Sequence, residues 1–145
     1  MKSDNVKAGM QQAPHRSLFN ALGFTEHSFR HLGIVSKRAG AVLEILGYNP
    51  ERVELAKIAG YLHDIGNCVN RNDHAHSSAL LAYQILKDMG MDIEKRTEIM
   101  MAIGNHDEKT GNPVSPITAA LIIADKSDVH RDRVVNKNMA TFDIH

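Results

Sequence analysis

The sequence predicts an all-α fold, a single bundle of about five to seven helices. Apolar residues recur at intervals of three and four, glycines and prolines interrupt the chain at helix lengths, and no segment alternates as a half-buried strand does. The 145 residues suit one domain with a sizeable core. We expect a flexible, polar leader over residues 1–15 and one helical domain over residues 16–145.

The first two predicted helices form a hairpin. The first begins at Thr25, a capping residue, and runs to Gly47, with an apolar face made of Val35, Ala39, Val42 and Leu46. Asn49-Pro50 starts the second, because Asn is a favoured cap and Pro a favoured first helical residue. We expect this second helix to end at Gly66.

Three further helices follow the hairpin. Asp73 is a candidate cap for a helix that ends before Gly90, and a fourth helix covers residues 92–103. Ser115-Pro116 opens a fifth helix, which contains the segment ITAALIIADKSDVH.

Composition excludes several functional classes. The 17 basic and 17 acidic residues cancel, which argues against general binding to nucleic acid or a membrane surface. The single cysteine, Cys68, permits no intrachain disulfide and favours a reducing, cytoplasmic setting. The segment MKSDNVKAGM has no signal-peptide core, and no run approaches the roughly 20 apolar residues of a membrane span.

The doublet His63-Asp64 stands at the end of the apolar run in YLHDIGN, where polar side chains are costly unless they are paired. From His31 to Gly47 is 16 helical steps, about 24 Å. From Pro50 to His63 is 13 steps, about 20 Å in the opposite direction. The hairpin therefore returns the doublet to the neighbourhood of His31.

Other metal-binding residue types stand at helix ends or in apolar helix segments. Imidazole and carboxylate suit Zn, Mn, Fe or Co, and a bridging carboxylate can hold two ions about 3.5–4 Å apart. Six residues exceed the needs of one tetrahedral ion. The candidate ligands are His31, His63, Asp64, His74, His106 and Asp125.

Five blocks of the sequence resemble the HD superfamily of metal-dependent phosphohydrolases, in particular its small HDIG-type domains. The blocks lie in order over residues 25–130 and read FTEHSFRHLGIVSKRA, YLHDIG, HAHSSALLAYQIL, AIGNHD and LIIADKSD. The resemblance implies that one metal ion is held by His31, His63, Asp64 and Asp125. It implies a second ion at His74 and His106, with the doublet aspartate as the bridge.

The resemblance also implies a reaction: metal-activated water cleaves a phosphate mono- or diester of a nucleotide or small phosphorylated metabolite. The expected cofactor is one or two divalent ions of Mn, Fe, Co, Ni or Zn. Homodimerisation is left open as an alternative to a monomer. Asp64 would ligate and accept a proton, and Lys126 or Arg131 would neutralise phosphoryl charge. A cyclic-dinucleotide substrate is not expected, because the long insertion and the glycine-tyrosine-proline signature of that branch are absent.

Several alternatives remain open at this point. Rival ligands lie near three of the candidates: His27 near His31, His76 near His74, and Asp107 beside His106. A basic cluster is either a phosphate-recognition site or a solvated face; it consists of Lys109, Lys126, His130, Arg131 and Arg133. The domain could also be a non-catalytic nucleotide- or metal-binding sensor, or a di-iron oxygenase.

Overall fold

Six α-helices and one 3-10 turn make up the part of the chain that the computed structural model describes, residues 2–10, 21, 26–68, 72–107 and 111–128. These residues contain no strand, which confirms the predicted all-α fold. The elements are α1 (Ser3–Met10), α2 (Glu26–Ile45), α3 (Pro50–Leu62), the 3-10 turn Ile65–Cys68, α4 (His74–Asp88), α5 (Ile93–Gly104) and α6 (116–128).

Helices α2 and α3 form the predicted hairpin. Gly47 turns the chain with φ at +84°, a value that favours glycine. The Asn49 side chain then caps α3 by accepting from the backbone N–H of Arg52 at 3.0 Å. Within the hairpin the backbones approach closely, since a Cβ at Gly60 would lie 2.5 Å from the Cα of Ser36.

The core is enclosed by helices α2, α3, α4, α5 and α6. Its large side chains come from all five of these helices and from the 3-10 turn. Each fully buried Leu or Ile contributes roughly 1.5–3 kcal/mol relative to exposure. The largest are Leu32, Leu43, Ile58, Leu62, Ile65, Leu86, Ile99, Ile103, Ile117 and Leu121. Leu46, which we placed on the apolar face of the first helix, is 66% exposed because α2 ends one residue before it.

The predicted caps of the next helices differ in outcome. Asp92 caps α5, accepting from the backbone N–H of Lys95 at 3.0 Å. Asp73 stands at the N-cap of α4 but makes no capping hydrogen bond, because its backbone is left-handed, with φ at +60°. Its carboxylate pairs instead with Nδ1 of His76, at 2.6 Å.

Part of the expected leader is helical. Val6 of α1 is fully buried, and the backbone N–H of Ser3 donates to Glu54 of α3 at 2.8 Å. Residues 3–10 therefore pack on the hairpin, where we expected a flexible segment; the boundary between residues 15 and 16 lies outside the described residues and stays a prediction. None of the helices described is both long and apolar enough to span a membrane.

Candidate metal centre

Four of the predicted histidines form a continuous row at one end of the bundle. The ring centroids of His31 and His63 are 5.7 Å apart, those of His63 and His106 are 5.3 Å apart, and those of His106 and His74 are 5.3 Å apart. They come from α2, the end of α3, the residues after α5 and the start of α4. The hairpin geometry thus brings His63 back to His31, as the helical spacing predicts.

Backbone carbonyls fix the tautomers of the two most buried histidines. His63 donates from Nδ1 to the carbonyl of Gly60 at 2.7 Å, and His106 donates from Nδ1 to the carbonyl of Ile103. A carbonyl can only accept, so in the neutral ring the lone pair is on Nε2. Both Nε2 atoms are buried. Among the described residues that of His106 has no hydrogen-bond partner, and that of His63 faces only the Asp125 carboxylate, at 3.3 Å.

A buried nitrogen without a hydrogen bond, such as Nε2 of His106, costs roughly 1–3 kcal/mol, which an ion bound at that atom would offset. A metal ion suits this position, because neutral imidazole with a free Nε2 is a common ligand and carboxylates lie beside it. The residues present therefore fit a divalent metal ion.

Donor atoms within 4.8 Å of one another form two sets, and both contain His63. One set is His31, His63 and Asp125; the other is His63, Asp64 and His106. His63 has a single lone pair to offer, since its Nδ1 is engaged by the backbone. Two ions could not both use it.

A second ion would therefore depend on Asp64, His106 and the adjacent His74. The Nε2 atom of His74 lies 3.6 Å from Oδ1 of Asp64. Asp64 groups with His106 in the donor sets, whereas the family resemblance also implies a contact with the ion of His31 and Asp125. The assignment of each ligand to an ion stays a prediction.

The carboxylate of Asp125 dominates the electrostatics of the row, with Oδ1 at 3.3 Å from Nε2 of His63. Burial lowers the pKa of His63, but the Asp125 and Asp64 carboxylates raise that pKa above its ordinary value. Burial raises the pKa of Asp125, yet the neighbouring His63 brings that pKa below normal. Burial, followed by the charge of His63, lowers the pKa of His106.

One rival residue, His76, lies away from the row. His76 has a side chain that is 61% exposed and pairs with Asp73, whereas the His74 side chain is 25% exposed and contacts His106. Asp107, like His74, belongs to neither donor set, and its part in metal binding stays a prediction.

Several predicted residues lie away from the row or outside the described part. Lys126 is exposed on α6, one residue after Asp125. Arg131, with the rest of the basic cluster, Lys109, His130 and Arg133, lies outside the described residues, as do the side chains of His27 and Cys68.

The glycine of the HDIG string positions α4 against the doublet. The backbone N–H of Gly66 donates to Oγ of the buried Ser78 at 2.8 Å. A Cβ at this glycine would lie 2.4 Å from the backbone nitrogen of Ser78. The 3-10 turn can therefore lie directly on α4, which brings His74 next to Asp64.

Sequence reasoning missed two residues beside the row. Asp128 accepts a hydrogen bond from Nδ1 of His31, and Arg38 lies against the same carboxylate. The available signal was spacing: Asp128 stands three residues after Asp125, hence on the same face of α6.

Comparison with known proteins finds a family match over most of the chain. A family model described as HD domain matches residues 25–131. An uncharacterized protein of Methanocaldococcus jannaschii is 33% identical over 134 residues, covering 77% of this chain and 51% of the relative. Ribonuclease Y of Petrotoga mobilis is 31% identical over 130 residues, covering 85% of this chain and 23% of the relative.

Another match is short. Dihydroxy-acid dehydratase of Agathobacter rectalis is 66% identical over 38 residues, covering 25% of this chain and 7% of the relative. The chain thus spans about half the length of the Methanocaldococcus protein and a smaller share of the other two. No solved structure gives a significant match.

Proposed function

This chain belongs to the HD-domain family, a superfamily of metal-dependent phosphohydrolases, and on that premise we propose that it hydrolyses a phosphate mono- or diester of a nucleotide or small phosphorylated metabolite. The observation that carries the proposal is the pair of buried Nε2 atoms on His63 and His106. That of His106 has no hydrogen-bond partner among the described residues, and that of His63 has only the Asp125 carboxylate beside it, at 3.3 Å. They lie beside two carboxylates, the combination that a hydrolytic metal site needs.

The residues that would hold a first ion are His31, His63 and Asp125; those of a second are Asp64, His74 and His106. A divalent ion of Mn, Fe, Co, Ni or Zn supplies Lewis acidity, which polarises a phosphoryl oxygen and acidifies a water molecule.

Asp64 is the residue that accepts the proton of the attacking water. Its side chain is 25% exposed and therefore reachable by solvent and substrate. The side-chain amide of Asn67 donates to its Oδ2 at 3.5 Å, which leaves Oδ1 directed toward His74. Lys126 or Arg131 neutralises charge on the transferring phosphoryl group. The exposure of Lys126 and its place next to Asp125 support this role for the lysine.

RNA, a polymeric substrate, is the second candidate, because one relative is named a ribonuclease. The chain's balanced charge argues against a long nucleic-acid track, since such binding depends on neutralising several phosphates. A short oligonucleotide is thus the appropriate RNA substrate for the assay.

The test is hydrolysis by the full chain of 4-nitrophenyl phosphate, bis(4-nitrophenyl) phosphate, nucleoside monophosphates and a short RNA, with each of the five metals. We expect Asp64→Ala to lower kcat/KM at least about 100-fold, because it removes a ligand and the proton acceptor. His74→Ala should also lower activity.

The matched control for His74→Ala is His76→Ala, because His76 lies two residues from His74 in the same helical turn. Its kcat/KM should stay within about twofold of wild type, since the His76 side chain is exposed. Retention of metal and activity by Asp64→Ala would contradict the proposal. Metal without turnover of any substrate would favour the sensor reading, and iron-dependent oxygen uptake would favour the oxygenase.

A further inference from the structure

The hydrogen-bond partner that orients His31 differs in kind from those of His63 and His106. Those two rings donate from Nδ1 to backbone carbonyls three residues earlier in the sequence. His31 donates from Nδ1 to a carboxylate oxygen of Asp128, which comes from α6 and lies 97 residues away in sequence. A charged side chain on another helix therefore does for His31 what the local backbone does for the other two.

Asp128 is itself held in place. Its side chain is only 7% exposed, and its second oxygen lies 3.7 Å from Nη1 of Arg38. The same nitrogen donates to Oγ of Ser127 at 3.1 Å, and that hydroxyl donates to the carbonyl of Ala124 at 2.9 Å. A buried carboxylate is costly unless its oxygens are paired. Both oxygens of Asp128 have a partner, and one of those partners is His31.

Helix α6 thus directs two carboxylates at one imidazole. Asp125 shares a donor set with His31, and Asp128 follows it by three residues on the same helical face. Since the Asp128 hydrogen bond occupies Nδ1 of His31, the neutral ring has its lone pair on Nε2.

We propose that Asp128 is a positioning residue of the metal centre, an inference that rests on the metal site of the proposed function. Asp128 fixes the orientation and tautomer of His31, so that Nε2 is the nitrogen offered to the ion, and Arg38 anchors Asp128. Partners of this kind also strengthen the imidazole as a donor, and their loss typically costs 10–100-fold in metal affinity.

The first test uses metal-free, ¹⁵N-labelled protein at about pH 8, well above the ordinary pKa of His. Long-range ¹H–¹⁵N spectra report which ring nitrogen is protonated, and a His31→Gln spectrum assigns the resonance. We expect the proton on Nδ1 of His31 in wild type and a shift toward the Nε2-protonated form in Asp128→Ala. An unchanged tautomer in Asp128→Ala would overturn the proposal.

The second test measures affinity for Co²⁺ by its visible absorption in a double-mutant cycle. Asp128→Ala should weaken binding about 10–100-fold. In a His31→Gln background it should change binding by no more than about twofold, because Asp128 acts through His31. Equal losses in both backgrounds, or no loss in the first, would overturn the proposal.

The control is Glu98→Gln, which removes another arginine-paired carboxylate. Glu98 pairs with Arg52, in the first turn of α3, whereas His63 closes that helix. Affinity should be unchanged. Should Asp128→Ala fail to fold, Asp128→Asn keeps the size, loses the charge and takes its place in the cycle, with an expected loss of at least about threefold. Neither test uses substrate, so a lack of hydrolysis would count against the proposed function alone.

Discussion

His63 and His106 owe their availability as ligands to backbone carbonyls three residues before them in the chain. Each carbonyl accepts a hydrogen bond from Nδ1–H, so that Nε2 carries the lone pair of the neutral ring in the protein interior. In His63 this nitrogen faces Asp125, and in His106 it lies within the set that includes Asp64. The two rings share a tautomer but differ in their electrostatic surroundings. The pKa of His63 is therefore raised, and that of His106 is lowered.

This difference gives a prediction for the metal-free protein. The pKa of His63 should lie above the ordinary value for His and the pKa of His106 below it, measured from the ring proton shifts in an NMR titration. Asp125→Asn removes the carboxylate that raises the pKa of His63 and leaves the burial that lowers it, so that pKa should fall. At a pH below the pKa of His63, the ring must therefore lose a proton before it can bind the metal ion.

The control for this titration is Asp73→Asn, which removes the carboxylate beside the exposed His76 and should leave the pKa of His63 unchanged. A reversed order, with the pKa of His106 above that of His63, would contradict the account.

Sequence alone predicted the residue types of the row but not their hydrogen-bond partners. The sequence left His76 as a rival of His74, and the structure brings His74 to the row and leaves His76 at the surface. Asp128 was missed because a lone carboxylate one turn after Asp125 reads equally well as a solvated helix residue. Only the crossing of α6 over α2 brings it to His31.

At the scale of elements, the close approach of α2 and α3 sets the position of the row. Gly60 lies against the backbone of Ser36, and the Ser36 hydroxyl donates to the carbonyl of Lys57 at 2.7 Å. The same helical segment ends at His63, whose Nδ1 donates to the Gly60 carbonyl. One glycine thus serves both the packing of the hairpin and the tautomer of a candidate ligand.

A pair of glycine variants tests this packing. Gly60→Ala should lower the free energy of unfolding by about 1–3 kcal/mol, because the new Cβ meets backbone atoms that move only with the helix. Gly33→Ala, also inside a helix of the hairpin, meets nothing nearer than the Tyr61 hydroxyl at 3.5 Å and should be neutral or stabilising by up to about 1 kcal/mol. Urea unfolding of the metal-free proteins measures both. Equal stability of the two variants would refute the packing argument.

The sequence predicted helix ends correctly where residues within one turn determine them. Asn49-Pro50 and Asp92 mark helix starts because their side chains or rings act within one turn. The end of α3 was placed too late, at Gly66, because the final residues leave the α-helix for a 3-10 turn held by Ser78 of another helix. Helix α1 was missed because its stability comes from contact with α3, through Val6 and the Ser3–Glu54 hydrogen bond, rather than from its own polar sequence.

At the scale of the whole molecule, the row joins parts of the chain that are distant in sequence. The candidate ligands come from α2, α4 and α6, and from the residues that follow α3 and α5. An ion held by them would add a further link between these helices, so binding would stabilise the folded chain. The family resemblance predicts this convergence, because the order and spacing of its sequence blocks reflect it. The presence of His63 in both donor sets, by contrast, could be seen only in the structure.

The central claim is that the buried Nε2 atoms of His63 and His106 are metal ligands. The most direct measurement is the metal content of the full chain, by elemental mass spectrometry, after reconstitution with Mn, Fe, Co, Ni or Zn and removal of free ion. The account predicts one or two ions per chain in wild type and in His76→Ala, and loss of at least one ion in His63→Ala. A wild-type chain that binds none of the five metals, or a His63→Ala variant that keeps the wild-type content, would contradict it.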